Sequence, residues 1–203
     1  MSLRPEYLVG NVIEVLKSIP DESVQCVVTS PPYVTSYEYA HLHELTTLWL
    51  GELADLAVTK DQFIGSAAAR GRGEAAAESD TSRRIVAALR GQSQAMAEEV
   101  RQYFLDMQDV FRETHRVLRP GGTLCNVIGN TSLKDVEVLN AEVHAEVLVS
   151  LGFELADVIK RVIPSKTLPQ TRDPRTGKFA SRGKGQLVEA YPEEFILVAR
   201  KTG

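Results

Sequence analysis

Cysteine is scarce in this chain of 203 residues: only Cys26 and Cys125 occur. Each lies in an apolar run that reads as a strand. Two isolated thiols exclude a disulfide scaffold, and the expectation is buried core cysteines in a reducing cytoplasm. Long apolar runs are lacking as well; no stretch reaches the ~18 residues that a membrane-spanning helix needs. The opening Met1-Ser2-Leu3-Arg4-Pro5-Glu6 has no apolar signal-peptide core. Histidine is represented by His41, His43, His115 and His144, which do not cluster with other ligands. A metal site is therefore not expected, and His41 and His43 read as helix-surface residues. There is no internal repeat. What is present, 43% hydrophobic and 25% charged residues, is the balance of a soluble globular protein long enough for one domain with a substantial core.

Positive charge is also in deficit, with a formal net charge of −4, which argues against a generally basic nucleic-acid binder. Its distribution argues the other way. Between Lys160 and Leu187 stand Lys160, Arg161, Lys166, Arg172, Arg175, Lys178, Arg182 and Lys184 against Asp173 alone, a local +7 that leaves −11 for the remainder. A basic patch on an acidic body suits phosphate contact. A solvated flexible loop is the other reading, and composition leaves both open.

The most informative stretch is Ser30-Pro31-Pro32-Tyr33, which follows the run Val24-Gln25-Cys26-Val27-Val28-Thr29. A Val-rich run stopped by Pro-Pro reads as a buried strand ending at its carboxyl terminus. Pro31 and Pro32 donate no backbone hydrogen bond and hold φ near −65°, and the residue before each is pushed to an extended conformation. The result is a stiff turn of outward carbonyls with a hydroxyl at one end and a phenol ring at the other. In open α/β sheets ligands bind at the carboxyl ends of strands. Taken as a tetrapeptide alone, it is equally compatible with an ordinary strand-terminating turn.

In its context the tetrapeptide resembles the catalytic motif of amino-group DNA methyltransferases, which carry Asp, Asn or Ser before Pro-Pro-Tyr/Phe. The resemblance implies methyl transfer from S-adenosylmethionine to the exocyclic amine of a base in DNA. The Ser form points to N4 of cytosine rather than N6 of adenine, by direct transfer to a flipped base. It implies catalytic roles for Ser30, Pro31, Pro32 and Tyr33. Ser30 Oγ and the Pro31 carbonyl would accept the amine's two N–H bonds, turning its lone pair toward the methyl group, while Tyr33 would stack on the base. Asn11, Thr29 and Ser30 fall on the cofactor side, with Asn11 standing where the family has an acid.

Further along, the chain agrees with this reading. Glu6–Asn11 reads as a short strand, and Val12–Ser18 as a short helix closed by Pro20. Asp21-Glu22-Ser23 turns into the Val24–Thr29 strand, similar to the family's opening. After Tyr33, the residues Tyr37 and Tyr39 are candidates for substrate contact. Trp49, at helical spacing with Leu42 and Leu45, is assigned to the core. Residues 59–95 are low in complexity around Ala67–Ala77 and read as a mobile excursion ending in a short helix with Ile85, Val86 and Leu89. Val100–Leu118 is the clearest helix, with Val100, Phe104, Met107, Phe111 and Leu118 on one stripe. Arg119-Pro120-Gly121-Gly122 stops it before the strand Thr123–Ile128, a passage similar to one widespread among cofactor-dependent methyltransferases. Asn130 then lies at a carboxyl end on the same side as Ser30, as a cleft residue or a turn former. Asn140 can cap a helix carrying Val143, Val147 and Leu151. Phe153–Ile163 and Glu194–Ala199 read as strands around a basic loop, 164–188, and the resemblance implies that they pair as a final antiparallel hairpin. That loop offers Lys166, Arg172, Arg175, Lys178 and Arg182 to DNA.

The fold class expected is therefore α/β: a Rossmann-like S-adenosylmethionine-dependent methyltransferase sheet with a C-terminal antiparallel hairpin. Residues 1–203 would form a single, partial catalytic domain. The family's glycine-rich turn after its first strand is lacking, as is the acid ending its second. Gly71 and Gly73 follow no strand, and Gly121-Gly122 precedes one. The sequence thus resembles the catalytic half of a permuted class without the cofactor half. Two strands would be missing between the Leu8 segment and the Val27 strand, leaving unpaired edges. A second polypeptide, a homo-oligomer or a truncated gene product is the expected explanation. The alternative readings are a non-catalytic nucleic-acid-binding or regulatory subunit and, third, methylation of RNA or of a protein amide.

Overall fold

The computed structural model describes residues 5–34, 49, 64, 75–162, 171–172, 188–189 and 193–203. Helix α1 (Val12–Lys17) begins at Asn11, whose Oδ1 accepts the Ile13 N–H at 3.0 Å and so satisfies one of the helix's orphan donors. Among the described residues no strand precedes it. The expected Glu6–Asn11 strand is instead coil, with Tyr7 and Val9 86% and 97% exposed; a strand needs a ladder partner, and none of the described residues provides one.

Strand β1 (Val24–Thr29) leads into the Pro-Pro turn. Within the stretch expected to be mobile, the short helix expected at its end is present and packs against the core. Helix α2 (Asp80–Arg90) buries Ile85, Val86 and Leu89, and Ala77 is 1% exposed. Its start is held by Glu146, which accepts from Ser79 Oγ (2.6 Å), Thr81 N (3.0 Å) and Thr81 Oγ1 (2.6 Å). Helix α3 (Gln94–Val117) is longer than its stripe announces, because Ser93 caps it a turn and a half earlier, accepting from Met96 N at 3.4 Å.

Strand β2 (Leu118–Ile128) follows α3 directly. Gly122 lies where a Cβ would come within 2.8 Å of the Arg119 carbonyl and 3.2 Å of the Gln25 carbonyl on β1, so only glycine lets the two strands close here. A hairpin not foreseen from sequence comes next: β3 (Thr131–Leu133) and β4 (Val136–Val138), joined by Lys134 and Asp135 at φ 50° and 60°, the positive pair a two-residue hairpin turn demands. Helix α4 (Asn140–Ser150) has its first turn capped by Asn130 rather than by Asn140: Asn130 Oδ1 accepts the Ala141 N–H at 2.9 Å. Asn140 is fully buried and instead donates to the Gly129 carbonyl at 2.8 Å.

Strand β5 (Phe153–Val162) and strand β8 (Glu193–Lys201) form the expected antiparallel hairpin, with the short pair β6 (Thr171–Arg172) and β7 (Val188–Glu189) between them. The main sheet runs β1-β2-β8-β5, with β1 parallel to β2 and the remaining pairs antiparallel.

The two faces of this sheet differ. Leu124, Asn126, Ile128, Leu197 and Ala199 are buried, and the apolar ones belong with Phe104, Met107, Phe111 and Leu148 of α3 and α4 to one core. On the opposite face lie Cys26, Val28, Cys125, Val127, Ile196, Val198 and Ile159. Val28 is 73% exposed, Cys26 is exposed and Cys125 is half-buried. Both thiols thus sit in strands as expected but not in the core: strand alternation turns them away from the helices. Trp49, assigned to the core by its spacing, is 87% exposed; a helical stripe specifies which residues share a face, not what covers it. Among the described residues no helix is long and apolar enough to cross a membrane, and no three His, Cys, Asp or Glu side chains group as metal ligands.

Candidate active site

β1 delivers Ser30 to the carboxyl end of the parallel pair, beside β2, where Thr29 pairs in register with Asn126. Ser30 is exposed, Pro31 is buried, Pro32 and Tyr33 are half-buried, and Val34 is 1% exposed. Val34 therefore pins the turn into the core while Ser30 faces out. No described residue donates a hydrogen bond to Ser30 Oγ or to the Pro31 carbonyl.

The two residues that follow are held. Tyr103 Oη of α3 donates to the Pro32 carbonyl at 2.9 Å, and Tyr33 Oη donates to Glu194 Oε1 of β8 at 3.1 Å. Glu194 in turn pairs with Arg161 of β5. The turn is thus fixed from the helix side and from the hairpin side, with its first two acceptors left open to the described residues. The expected row of outward carbonyls is only partly present, since Pro31 is buried and the Pro32 carbonyl meets the buried Tyr103. Rigid acceptors suit an N–H-bearing ligand, since little ordering entropy remains to be lost on binding.

Behind the turn lies a buried polar group of three. His144 on α4 is 1% exposed; its Nε2 lies 3.5 Å from Tyr103 Oη and its Nδ1 3.0 Å from Asn126 Nδ2. Phe111 meets the imidazole edge-on at 5.0 Å. Desolvation pushes the His144 pKa from 6.5 down to about 3, so the ring is neutral. Asn126 Oδ1 and Asn140 Oδ1 are buried without a hydrogen-bond partner among the described residues.

Asn11 is committed in part, its Oδ1 capping α1. Asn130 spends Oδ1 on Ala141 N and Nδ2 on Glu142 Oε2, the latter at 3.0 Å. Arg172 is described only through its ladder pairing with Val188. Tyr37, Tyr39, Lys166, Arg175, Lys178 and Arg182 lie outside the described residues, as do His41 and His43. Two members of the basic stretch are ion-paired across the hairpin: Lys160 with Glu193 at 2.7 Å, and Arg161 with Glu194. Sequence reasoning passed over Tyr103, His144, Asn126 and Glu194. The available signal was a polar residue in an apolar run: Asn126 within Leu124–Ile128, and His144 on the face of α4 that carries Val143 and Val147.

A parallel strand pair continued by an antiparallel hairpin, helices on one face and a Ser-Pro-Pro-Tyr turn at a strand's carboxyl end together define a Rossmann-like methyltransferase sheet. The family model N6_N4_Mtase, described as DNA methylase, matches residues 24–203, and the chain belongs to this family of DNA methylases. A curated relative is the type II methyltransferase M.MvaI of Kocuria varians, 24% identical over 177 residues, which cover 80% of this chain and 38% of that protein. Among solved structures, the cytosine-N4-specific PvuII DNA methyltransferase shares the fold, with a TM-score of 0.52 at 17% identity over 96% of this chain and 48% of that one. A DNA modification methylase of Thermus thermophilus, in its complex with S-adenosyl-L-methionine, aligns with a TM-score of 0.47 at 21% identity, over 96% and 54% of the two chains. The chain thus spans about half the length of these structures, and less of the curated relative.

Proposed function

We propose that this chain carries the amine-orienting half of a DNA methyltransferase that acts on the exocyclic amine of a flipped base, N4 of cytosine. The observation that supports it is the Ser30–Tyr33 turn. Two acceptors that no described residue engages, Ser30 Oγ and the Pro31 carbonyl, lie beside an aromatic ring held by Glu194. An aryl amine is a poor nucleophile because its lone pair is delocalised into the ring. Accepting both N–H bonds draws the nitrogen toward a tetrahedral geometry and frees that lone pair. Tyr33 gives the extruded base a stacking surface, and the basic residues between Lys166 and Lys184 meet phosphates.

S-adenosylmethionine, the methyl donor this chemistry calls for, is not matched by the described residues. No glycine-rich turn follows a strand among them, and Asn11 Oδ1 is already bonded to Ile13 N. Among the described residues β1 is an edge of the sheet, and its second face is apolar and exposed at Val28. We therefore place the cofactor site on further strands that pair along β1 and lie outside the described residues, a second polypeptide being one source of them.

Replacement Ser30→Ala tests the assignment in the assembled methyltransferase. Loss of one preorganised hydrogen-bonding group at the reacting centre is expected to lower kcat by about 100-fold or more, with DNA affinity kept. A second reading, a non-catalytic nucleic-acid-binding or regulatory subunit, draws support from the missing glycine turn. Methyl transfer at the unchanged rate by the Ser30→Ala assembly would favour that reading and sink the first.

A further inference from the structure

Of the three carbonyl and hydroxyl groups that line the catalytic turn, one is already occupied from inside the protein. Tyr103 Oη lies 2.9 Å from the Pro32 carbonyl. Tyr103 is 2% exposed in the middle of α3, with Phe104 edge-on at 5.4 Å and His144 stacked at 6.1 Å. His144 and Asn126 continue the line inward, at 3.5 Å and 3.0 Å.

Proton counting gives this line a direction. The Pro32 carbonyl can only accept, so the single Tyr103 proton goes to it. Tyr103 Oη is then an acceptor toward His144, which requires the proton on Nε2. Nδ1 is left with its lone pair, so Asn126 must present its NH2 rather than its carbonyl oxygen. The chain of donors therefore runs from Asn126 through His144 and Tyr103 to Pro32, each bond polarising the next. Orienting Asn126 this way leaves its Oδ1 buried and unpartnered among the described residues, which costs stability. Folding alone gives no reason for that arrangement, because an apolar trio would fill the same space.

The far end returns to the near one. Asn126 pairs in register with Thr29, the residue before Ser30. The turn is thus gripped at both ends by one buried loop of contacts through β2, α4 and α3.

We propose that Tyr103, backed by His144 and Asn126, is a positioning residue: its hydroxyl sets the Pro32 carbonyl and thereby the direction in which Ser30 Oγ and the Pro31 carbonyl face the amine. This rests on the reading of Ser30–Tyr33 as the amine-holding turn.

The experiment compares wild type, Tyr103→Phe and Asn126→Asp in the assembled methyltransferase, reading kcat, KM for DNA and the His144 ring nitrogens by NMR. Wild type is expected to show Nε2 protonated and Nδ1 bare. Tyr103→Phe keeps the ring stack and is expected to lower kcat about 10- to 100-fold, the range of one lost hydrogen bond in a buried network, with KM for DNA within about threefold. In Asn126→Asp the carboxylate draws the proton to His144 Nδ1, so that Nε2 competes with Pro32 for the Tyr103 proton. A similar kcat loss should accompany that tautomer switch, and this variant decides the matter should Tyr103→Phe not fold. Wild-type kcat in either folded variant, or Nδ1 protonated in wild type, overturns the proposal. Failure of the underlying reading looks different: Ser30→Ala then transfers methyl groups normally, while the NMR tautomer still reports on the relay.

Discussion

At the residue scale, His144 shows how burial sets charge. A neutral imidazole on α4 is stable because desolvation opposes its protonated form, and the folded value of about 3 lies below the ordinary 6.5. The unfolded chain therefore takes up the proton first as the pH falls. Stability contributed by His144 is complete above 6.5 and is lost progressively below it, by about 1.4 kcal/mol for each pH unit. His115, lowered by desolvation and by the nearby Lys201 charge, acts in the same sense. Urea titrations at pH 6.5 and about pH 5 are expected to show a steeper loss for wild type than for His144→Phe, whose remaining slope reflects His115 and the lowered carboxylates such as Glu146. Equal slopes would mean that His144 is protonated in the folded state. The stiff turn at Ser30–Tyr33 was legible in the sequence because prolines declare their own backbone geometry. Tyr103 was not, because its role depends on a carbonyl 71 positions away.

At the scale of elements, helices α2 and α4 are joined through one carboxylate. Glu146 accepts three hydrogen bonds at the start of α2 and has Arg84 nearby. Partial burial by itself would raise its pKa, but the Ser79 and Thr81 hydrogen bonds and the Arg84 charge outweigh it and the value is lowered. A lowered carboxylate stabilises the fold at neutral pH and loses that contribution as the pH falls through its folded value. Glu146→Gln keeps the shape and removes the charge. An expected loss of about 1–3 kcal/mol at neutral pH, shrinking in acid, would appear in urea midpoints; an unchanged midpoint would show the three bonds to be energetically idle. Here too the sequence spoke unevenly. The stripe on α3 follows from periodicity and was readable, and the final hairpin was expected from the family resemblance. The start of α3 at Ser93, the β3–β4 hairpin and the capping of α4 by Asn130 depend on single polar side chains whose partners are chosen only on folding.

For the whole molecule, the decisive feature is that, among the described residues, the sheet has one face covered by helices and β1 at one of its edges. Val28 sits on the bare face of the edge strand. Its replacement, Val28→Lys, is expected to change the stability of this chain by no more than about 0.5 kcal/mol, as surface changes do. It should nonetheless abolish association with whatever completes the sheet, and with it methyl transfer, because a charge would then have to be buried there. Calorimetric titration of the chain alone with S-adenosylmethionine is expected to show no micromolar binding. Such binding, or a Val28→Lys protein with full activity, would rule out completion of the cofactor site along β1.

The amine-orienting role came from the family resemblance. Chain-local chemistry was enough to reveal the stiff Ser30–Tyr33 turn, the strand that leads into it and the α3 stripe, and to show that no glycine-rich turn follows a strand in these residues. Each of these is written in neighbouring residues: proline geometry, apolar period, glycine after strand. Which faces are covered was settled only by the tertiary structure. It turned Cys26 and Cys125 outward, left Trp49 exposed, left Tyr7–Val9 without a ladder and brought Tyr103, His144 and Asn126 together behind Pro32. Burial and hydrogen-bond partnership belong to pairs of elements distant in the chain, and no single stretch of sequence contains both members of the pair.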